Sequence, residues 1–123
     1  MAGALIRRLG PYAFGPFSLT FAERTLWVID FINKYLYQVD PATGTLIRRL
    51  GAFTFYPRSI AYDGRALWAC DYNNKYLYQI DMVSGALIRR LGALTFSAYG
   101  VGFDGRALWT CDYDNKYLYQ VSV

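Results

Sequence analysis

One stretch of 15 residues occurs three times in this chain, at a fixed spacing of 41 residues. The middle copy, residues 66–80, reads ALWACDYNNKYLYQI, and the other copies occupy residues 25–39 and 107–121. In each copy two alternating apolar runs flank a short polar segment, which is typical of two β-strands joined by a turn. A unit repeated at one period constrains the architecture before any other feature is considered.

Each period divides into four short runs that favour β-strands. In the middle copy they are residues 46–50, 59–62, 66–72 and 76–80. The pairs Asp63-Gly64 and Asn73-Asn74 tolerate positive φ, so we expect two-residue hairpin turns there. Four strands with short turns in about 41 residues are typical of a β-propeller blade. The sequence predicts an all-β propeller with three four-stranded blades, in one unit of repeats 3–43, 44–84 and 85–123 with the outer strand first.

The first copy departs from the others at both turns. Ala22-Glu23 stands where the others have Asp-Gly, and Ile32-Asn33 replaces the Asn-Asn or Asp-Asn pair. Because a β-branched residue disfavours positive φ, we expect a different turn or strain at Ile32.

The order of strands along the repeat predicts how the chain associates. Each outer strand should complete the blade of the preceding repeat, so the strand at residues 4–9 has no blade and the last blade lacks its outer strand. Propellers have typically 4–8 blades, and six is the only multiple of three in that range. We therefore predict a two-fold homodimer that forms a six-bladed ring closed by an intermolecular strand latch. The predicted latch residues are Ala4, Leu5, Ile6, Leu9, Tyr117, Tyr119 and Val121.

Composition excludes several other classes of protein. The chain is 54% hydrophobic and 19% aromatic, which is too rich in apolar residues for disorder. No apolar run approaches the ~18 residues of a membrane helix, and no secretion signal is apparent at the start. Cys70 and Cys111 occupy equivalent positions about one blade apart, roughly 10 Å, too far for a disulfide. Two free cysteines and no signal peptide favour a cytoplasmic location, with no membrane partner.

The loops at one end of the ring contain the candidate ligand-binding residues. Phe17, Arg58 and Tyr99 are aligned positions that differ between the copies, which fits either a binding site or packing at the channel mouth. Aromatic, Asp and Lys side chains together suit a glycan or a peptide ligand, although Tyr and Trp also serve blade-to-blade packing. The remaining candidates on this face are Asp30, Asp71, Asp112, Tyr72 and Tyr113. The three Asp also suit hydrogen bonds to the following turns, without any ligand.

The arginine pairs and the missing histidine limit the other functions. An arginine pair recurs at one position of each repeat: Arg7-Arg8, Arg48-Arg49 and Arg89-Arg90. The net charge of the chain is only +4. We interpret them as edge charges that prevent unwanted strand pairing, so no nucleic-acid partner is expected. The chain contains no histidine, the commonest general base. The sequence predicts no catalysis, no cofactor and no metal site.

The chain resembles NHL-like and YVTN-type propeller blades in three stretches: Leu67-Trp68-Ala69-Cys70-Asp71, residues 76–81 and residues 37–45. The resemblance covers the whole chain, and near-identical copies are also typical of a recently amplified or an engineered symmetric propeller. It implies a binding scaffold or, in a few members, a lyase that uses a metal and catalytic histidines, which are absent here. Three functions follow in order: a self-assembling scaffold or binding module, a lectin-like binder of glycans or small ligands, and a metal-assisted lyase.

Overall fold

A computed structural model of the chain describes residues 2–123, which form eleven β-strands in three antiparallel sheets. The strands are β1 (Pro16–Ala22), β2 (Thr25–Asp30), β3 (Tyr35–Val39), β4 (Leu46–Gly51), β5 (Pro57–Tyr62), β6 (Leu67–Asp71), β7 (Tyr76–Ile80), β8 (Leu87–Leu91), β9 (Gly100–Phe103), β10 (Leu108–Asp112) and β11 (Tyr117–Val121). None of these residues lies in a helix long and apolar enough to cross a membrane. The all-β class predicted from the period-two patterns is confirmed.

The order of strands shows how the repeats share their sheets. The first sheet is β1-β2-β3-β4 and the second is β5-β6-β7-β8, so the fourth strand of each comes from the start of the next repeat. The third sheet, β9-β10-β11, has three strands. This agrees with the prediction that the last blade of a single chain lacks its outer strand. One part of the prediction is wrong for the single chain: residues 4–9 form no strand. The physical reason is that residues 4–9 lie beside no strand edge with which to form a ladder.

The hairpin loops after β2, β6 and β10 have four residues rather than the expected two. In the middle copy the Lys75 amide donates to the Asp71 carbonyl at 3.0 Å, and positive φ falls on Lys75, at 65°, rather than on an Asn. Lys34 and Lys116 have the same conformation, with φ of 64° and 68°. The first copy uses this loop as well, so the prediction of strain or a different turn at Ile32 is wrong.

The turn before the second strand of each sheet differs in the first copy, where Ala22-Glu23 replaces Asp-Gly. In the second sheet the Asp63 carboxylate accepts backbone hydrogen bonds from Arg65 and Ala66 and one from the Trp68 indole, each at 2.8 Å. In the first sheet Glu23 and Arg24 both adopt positive φ, 51° and 67°, the pattern of a tight two-residue hairpin turn. Ala22 then stands where the others have Asp, and the buried Trp27 indole N–H has no partner within residues 2–123.

The core lies between the sheets. Trp27 and Ile29 of the first sheet pack against the second sheet through Ile60 and Ala69, all buried. Trp68 and Cys70, on the opposite face of the second sheet, pack against the third sheet. The second sheet is thus apolar on both faces because both are covered, as expected for a stack of sheets.

The two cysteines are free, as predicted from their spacing. Burial raises the pKa of the Cys70 thiol to about 12, because an apolar environment disfavours the thiolate. Cys111 occupies the equivalent position of the third sheet and is only partly covered.

Candidate functional site

Two of the candidate ligand residues project from β-bulges. In the first sheet Pro16 pairs with Asp30 and Ser18 with Ile29, so Phe17 is an extra, unpaired residue. Arg58 is the extra residue at the same place in the second sheet. Tyr99 directly precedes β9, where its amide bonds the Cys111 carbonyl at 3.0 Å. Because a bulge re-aims a side chain, these three positions converge at one end of the stack.

Arg58 is the centre of the aromatic cluster at this end. Its Cζ lies 4.2 Å from the ring centroid of Tyr99 and 4.9 Å from that of Tyr72. The rings of Phe17 and Phe31 follow at 5.9 and 5.8 Å. These distances are within the range of cation–π attraction. Residues from all three sheets therefore meet around one guanidinium.

The guanidinium is not satisfied by its surroundings. Nε is buried and has no hydrogen-bond partner within the described part of the chain. Arg58 as a whole is only half-buried, so part of its side chain is exposed to solvent. An aromatic face attracts a cation but cannot replace a directional acceptor for its N–H groups.

Further aromatic contacts extend the cluster on both sides. The ring of Tyr113 lies 5.2 Å from that of Tyr99. Tyr56, which sequence reasoning missed, lies 5.3 Å from Phe31 and has the Lys34 ammonium 4.3 Å above its ring. The aligned residues Gly15 and Ser97 are small, so the copies differ at this position as well, but the difference alone did not identify an aromatic contact.

A tyrosine hydroxyl of the cluster is fixed by a carboxylate. Tyr72 donates a hydrogen bond to Asp114 at 3.1 Å. This bond, together with the negative charge of Asp114, raises the pKa of Tyr72 above its ordinary value of 10.0, against the opposing effect of Arg58. Tyr72 is therefore held as a neutral hydrogen-bond donor, and its ring keeps its place beside the guanidinium.

The three candidate aspartates have structural partners. Each is buried, and one carboxylate oxygen accepts the backbone N–H of the Asn three residues later while the other accepts its side-chain amide. For Asp71 and Asn74 these distances are 3.2 and 2.9 Å. Asp30 and Asp112 make the same pair of bonds. All three fix their hairpin loops, consistent with the ligand-free interpretation of these residues.

A second surface of functional interest is the free side of the third sheet. Trp27 and Trp68 are fully buried, whereas the equivalent Trp109 is 39% exposed. Leu36 and Leu77 are fully buried, whereas Leu118 is 76% exposed. An apolar depression of about 460 Å³ lies here between Gly100, Gly102, Trp109 and Leu118. Of the predicted latch residues in β11, Tyr117 is exposed and Tyr119 and Val121 are half-buried.

Residues 4–9, the latch segment, contact the first sheet without joining it. Leu5 and Ile6 are 96% and 95% exposed, and Ala4 is exposed too. Leu9 is half-buried, and its Cβ lies 3.2 Å from where a Cβ on Gly44 would be. Leu50 of β4 has the same relation to Gly85, also at 3.2 Å. The latch segment is placed against the first sheet as β4 is placed against the second.

Arg48 and Arg49 lie on the edge strand β4 and also make specific contacts, which their interpretation as edge charges did not include. Arg48 donates from Nε to the Gln38 side chain at 2.9 Å and from Nη1 to the Val83 carbonyl at 2.7 Å. It also lies over the Trp27 ring, 5.4 Å from its centroid. Arg49 stacks over Tyr35 at 4.3 Å. These arginines thus bind neighbouring strands and sheets.

No group of three or more His, Cys, Asp or Glu side chains suited to hold a metal ion occurs within residues 2–123. The structure therefore offers a cationic, aromatic end and an open sheet edge as its two candidate sites.

The repeated antiparallel sheets, stacked face to face, define the class of the molecule as a β-propeller fold. No protein-family model matches the chain and no curated protein matches it. The crystal structure of the Myceliophteria thermophila Cps50 (Swd1) β-propeller domain is similar, with a TM-score of 0.63 and 12% identity, over 91% of this chain and 40% of that one. Kuenenia stuttgartiensis hydrazine synthase is similar with a TM-score of 0.63 and 17% identity, over 96% of this chain and 38% of that one.

The chain thus spans about two-fifths of the length of these structures. Similarity at this level of identity shows the fold alone. The propeller fold implied by the NHL-like and YVTN-type resemblance is confirmed, and the particular family stays a prediction.

Proposed function

We propose that this chain is a self-assembling half-ring, two copies of which close a six-bladed propeller that serves as a non-enzymatic scaffold or binding module. The observation that carries the proposal is the mismatch between its two ends. One end is a sheet that has three strands instead of four, and the other is a segment at the repeat position of β4 and β8 that has no sheet to join.

The glycine that follows the latch segment already has the backbone conformation of its repeat equivalents. Gly10 has a φ of 110°, close to the 114° of Gly51 and the 126° of Gly92, its repeat equivalents. In the first two sheets the chain after these glycines returns to the hairpin loop between the second and third strands. In the first sheet the Phe53 amide donates there to the Lys34 carbonyl at 2.9 Å. Tyr12 is the repeat equivalent of Phe53. In the proposed ring the Tyr12 amide would therefore donate to the Lys116 carbonyl of a second copy.

The exposed faces of the first and third sheets are also suited to pack against each other. Within the chain, Ile60 packs against the Trp27 face and Val101 against the Trp68 face. Leu19 is their repeat equivalent, and it is exposed on β1 together with Phe21. In the proposed ring these side chains cover Trp109 of a second copy and remove an apolar patch from water.

The number of blades follows from the number of sheets. A propeller ring has typically 4–8 blades. Because each chain supplies three sheets, a ring of whole chains in this range contains two copies and six blades. Closed two-fold assemblies are also the commonest soluble oligomers.

Light scattering coupled to size-exclusion chromatography tests the proposal. The chain has a mass of 14.1 kDa, so a dimer gives 2 × 14.1 = 28.2 kDa. A monomer that persists up to the highest soluble concentration overturns the half-ring, and a mass of three or more copies overturns the six-bladed count.

A second candidate function is supported by the aromatic cluster: binding of a small, ring-shaped ligand that carries a carboxylate, for which an acidic sugar is the best fit. A carboxylate supplies the acceptor that the Arg58 guanidinium lacks, and such charge-assisted pairs are the strong class of hydrogen bond. The exposed rings of Tyr99 and Tyr113 offer apolar faces on which a sugar ring can stack. The scaffold role and this site are independent, because all the cluster residues lie in one chain.

Titration with glucuronate, followed by NMR of the aromatic side chains, tests this site. Glucose is the matched control because it has the same ring without the carboxylate, and an acetylated peptide with a free C-terminal carboxylate tests the competing ligand class. We expect saturable binding of glucuronate that Arg58→Gln abolishes. Equal shifts with glucose, equal binding by Arg58→Gln, or saturation by the peptide alone would count against the acidic sugar.

A metal-assisted lyase has no supporting observation among the described residues and forms no part of the proposal.

A further inference from the structure

The first arginine of each pair belongs to a recurring set of contacts, here called the clasp. A clasp joins one arginine to a glutamine and a tryptophan of the same sheet and to two carbonyls of the next sheet. In the first sheet Arg48 bonds Gln38 through Nε, lies over Trp27, and bonds the Met82 and Val83 carbonyls through its terminal nitrogens.

The second sheet holds one half of a clasp. The Arg89 Nε donates to the Gln79 side chain at 3.0 Å, and its Cζ lies 5.4 Å from the centroid of the Trp68 ring, the same distance as in the first sheet. Glutamine and arginine face each other across the ladder in both sheets. The contact is thus fixed by register rather than by chance.

The remaining parts of a clasp lie at the two ends of the chain. Arg7 donates from Nη1 to the Ala42 carbonyl at 2.9 Å and from Nη2 to that of Pro41, the repeat equivalents of the carbonyls that hold Arg48. Within residues 2–123 Arg7 makes no hydrogen bond to a glutamine. At the other end Gln120 and Trp109 are exposed, and no arginine of the described part of the chain bonds Gln120 or stacks over the Trp109 ring.

We propose that Arg7 of one copy completes a clasp with Gln120 and Trp109 of a second copy. This inference rests on the half-ring proposed above and identifies a contact that selects the partner. The guanidinium is already oriented by Pro41 and Ala42, so little side-chain entropy remains to be lost when the copies meet. A charged hydrogen bond and a cation–π contact that form together favour this register over a slipped one.

The neighbouring arginine supports the same register. Arg49 and Arg90 stack over Tyr35 and Tyr76 at 4.3 and 4.2 Å. The equivalent pair is Arg8 and Tyr117, and Tyr117 is exposed in the single chain. The register that places Arg7 opposite Gln120 also places Arg8 over Tyr117.

Sedimentation equilibrium of wild type, Arg7→Ala and Gln120→Ala tests the clasp. Arg65→Ala is the matched control, because Arg65 is an exposed arginine on a turn of the middle sheet. We expect the dimer dissociation constant to rise at least about 30-fold for Arg7→Ala. We expect a smaller rise for Gln120→Ala and a change within about twofold for Arg65→Ala. Gln120→Ala alters an exposed side chain, so it tests the contact even if Arg7→Ala perturbs the latch segment.

A mixture of the two variants gives the decisive comparison. The mixed dimer of Arg7→Ala and Gln120→Ala chains regains one intact clasp, so we expect it to form in excess over both parent dimers. A purely statistical mixture overturns the clasp, as does a wild-type dimer that all three variants leave unchanged. A wild-type chain that never dimerises overturns the half-ring and the clasp together.

Discussion

Leu118 offers the sharpest test of how the open side of the third sheet is used. It is 76% exposed, whereas Leu36 and Leu77 at the same repeat position are fully buried. If a second copy covers this face, Leu118→Ala removes apolar contact from an interface while leaving the fold of the single chain nearly unchanged.

The size of the effect follows from burial and symmetry. A buried Leu→Ala substitution costs about 2–5 kcal/mol, and a two-fold dimer contains the site twice. At the lower bound the dimer loses about 4 kcal/mol, which corresponds to an increase of about 10³-fold in its dissociation constant. The stability of the monomer should change by no more than about 0.5 kcal/mol, since the side chain is exposed there.

Sedimentation equilibrium over a dilution series measures the association, and chemical denaturation of dilute protein measures the fold. Val83→Ala is the control, because Val83 is a 79% exposed apolar residue on the loop between β7 and β8 of the middle sheet. Equal dissociation constants for the two variants would refute the proposed interface. A large loss of monomer stability in Leu118→Ala would show instead that Leu118 already packs within its own chain.

Three further predictions concern the cysteines and the unpaired indole. Cys111 should react with a thiol reagent in dilute protein and become protected from it as the protein concentration rises. Cys70 should stay unreactive until the chain unfolds. Protection of Cys111 that does not depend on protein concentration would contradict the assembly. Because the pKa of Cys70 is raised from 9.0 to about 12 in the folded chain, its contribution to stability is complete below pH 9 and falls as pH rises towards 12. By pH 10 the loss is on the order of 1 kcal/mol, and Cys70→Ala should show a correspondingly flatter dependence of unfolding free energy on pH than wild type. Replacing Ala22-Glu23 by Asp-Gly should give the Trp27 indole its missing acceptor and stabilise the chain by about 1–3 kcal/mol relative to Glu23→Gly alone, as measured by denaturant melts.

The repeat period made most of the fold predictable, because three copies of one pattern report the same structure independently. The strands of the middle copy lie within one or two residues of their predicted bounds, and the placement of each outer strand in the preceding sheet is correct. The hairpin loops were not predictable in detail. The side chain of Asp71 binds the loop amides and moves positive φ from Asn73-Asn74 to Lys75, a preference that composition alone does not reveal.

The candidate site was only partly predictable. Divergence between aligned positions pointed to Phe17, Arg58 and Tyr99, which the structure brings together, and their role in ligand binding stays a prediction. Period-two alternation carries no information on bulges, so it could not show that Arg58 would turn towards four rings. The role of Arg48 was missed for a related reason: its partners come from two sheets, and a repeat pattern identifies equivalent positions without their contacts.

The unequal ends of the chain have a consequence for how copies are counted. An edge that receives a strand and a segment that supplies one make a head-to-tail contact, which is equally able to add a third copy as a second. In the proposed ring the contact itself therefore does not set the number of copies; the turn between successive sheets does, by bringing the first end round to meet the last. We expect any substitution that flattens this turn, even far from the contact, to convert the proposed closed pair into an open fibre while leaving every interface residue in place.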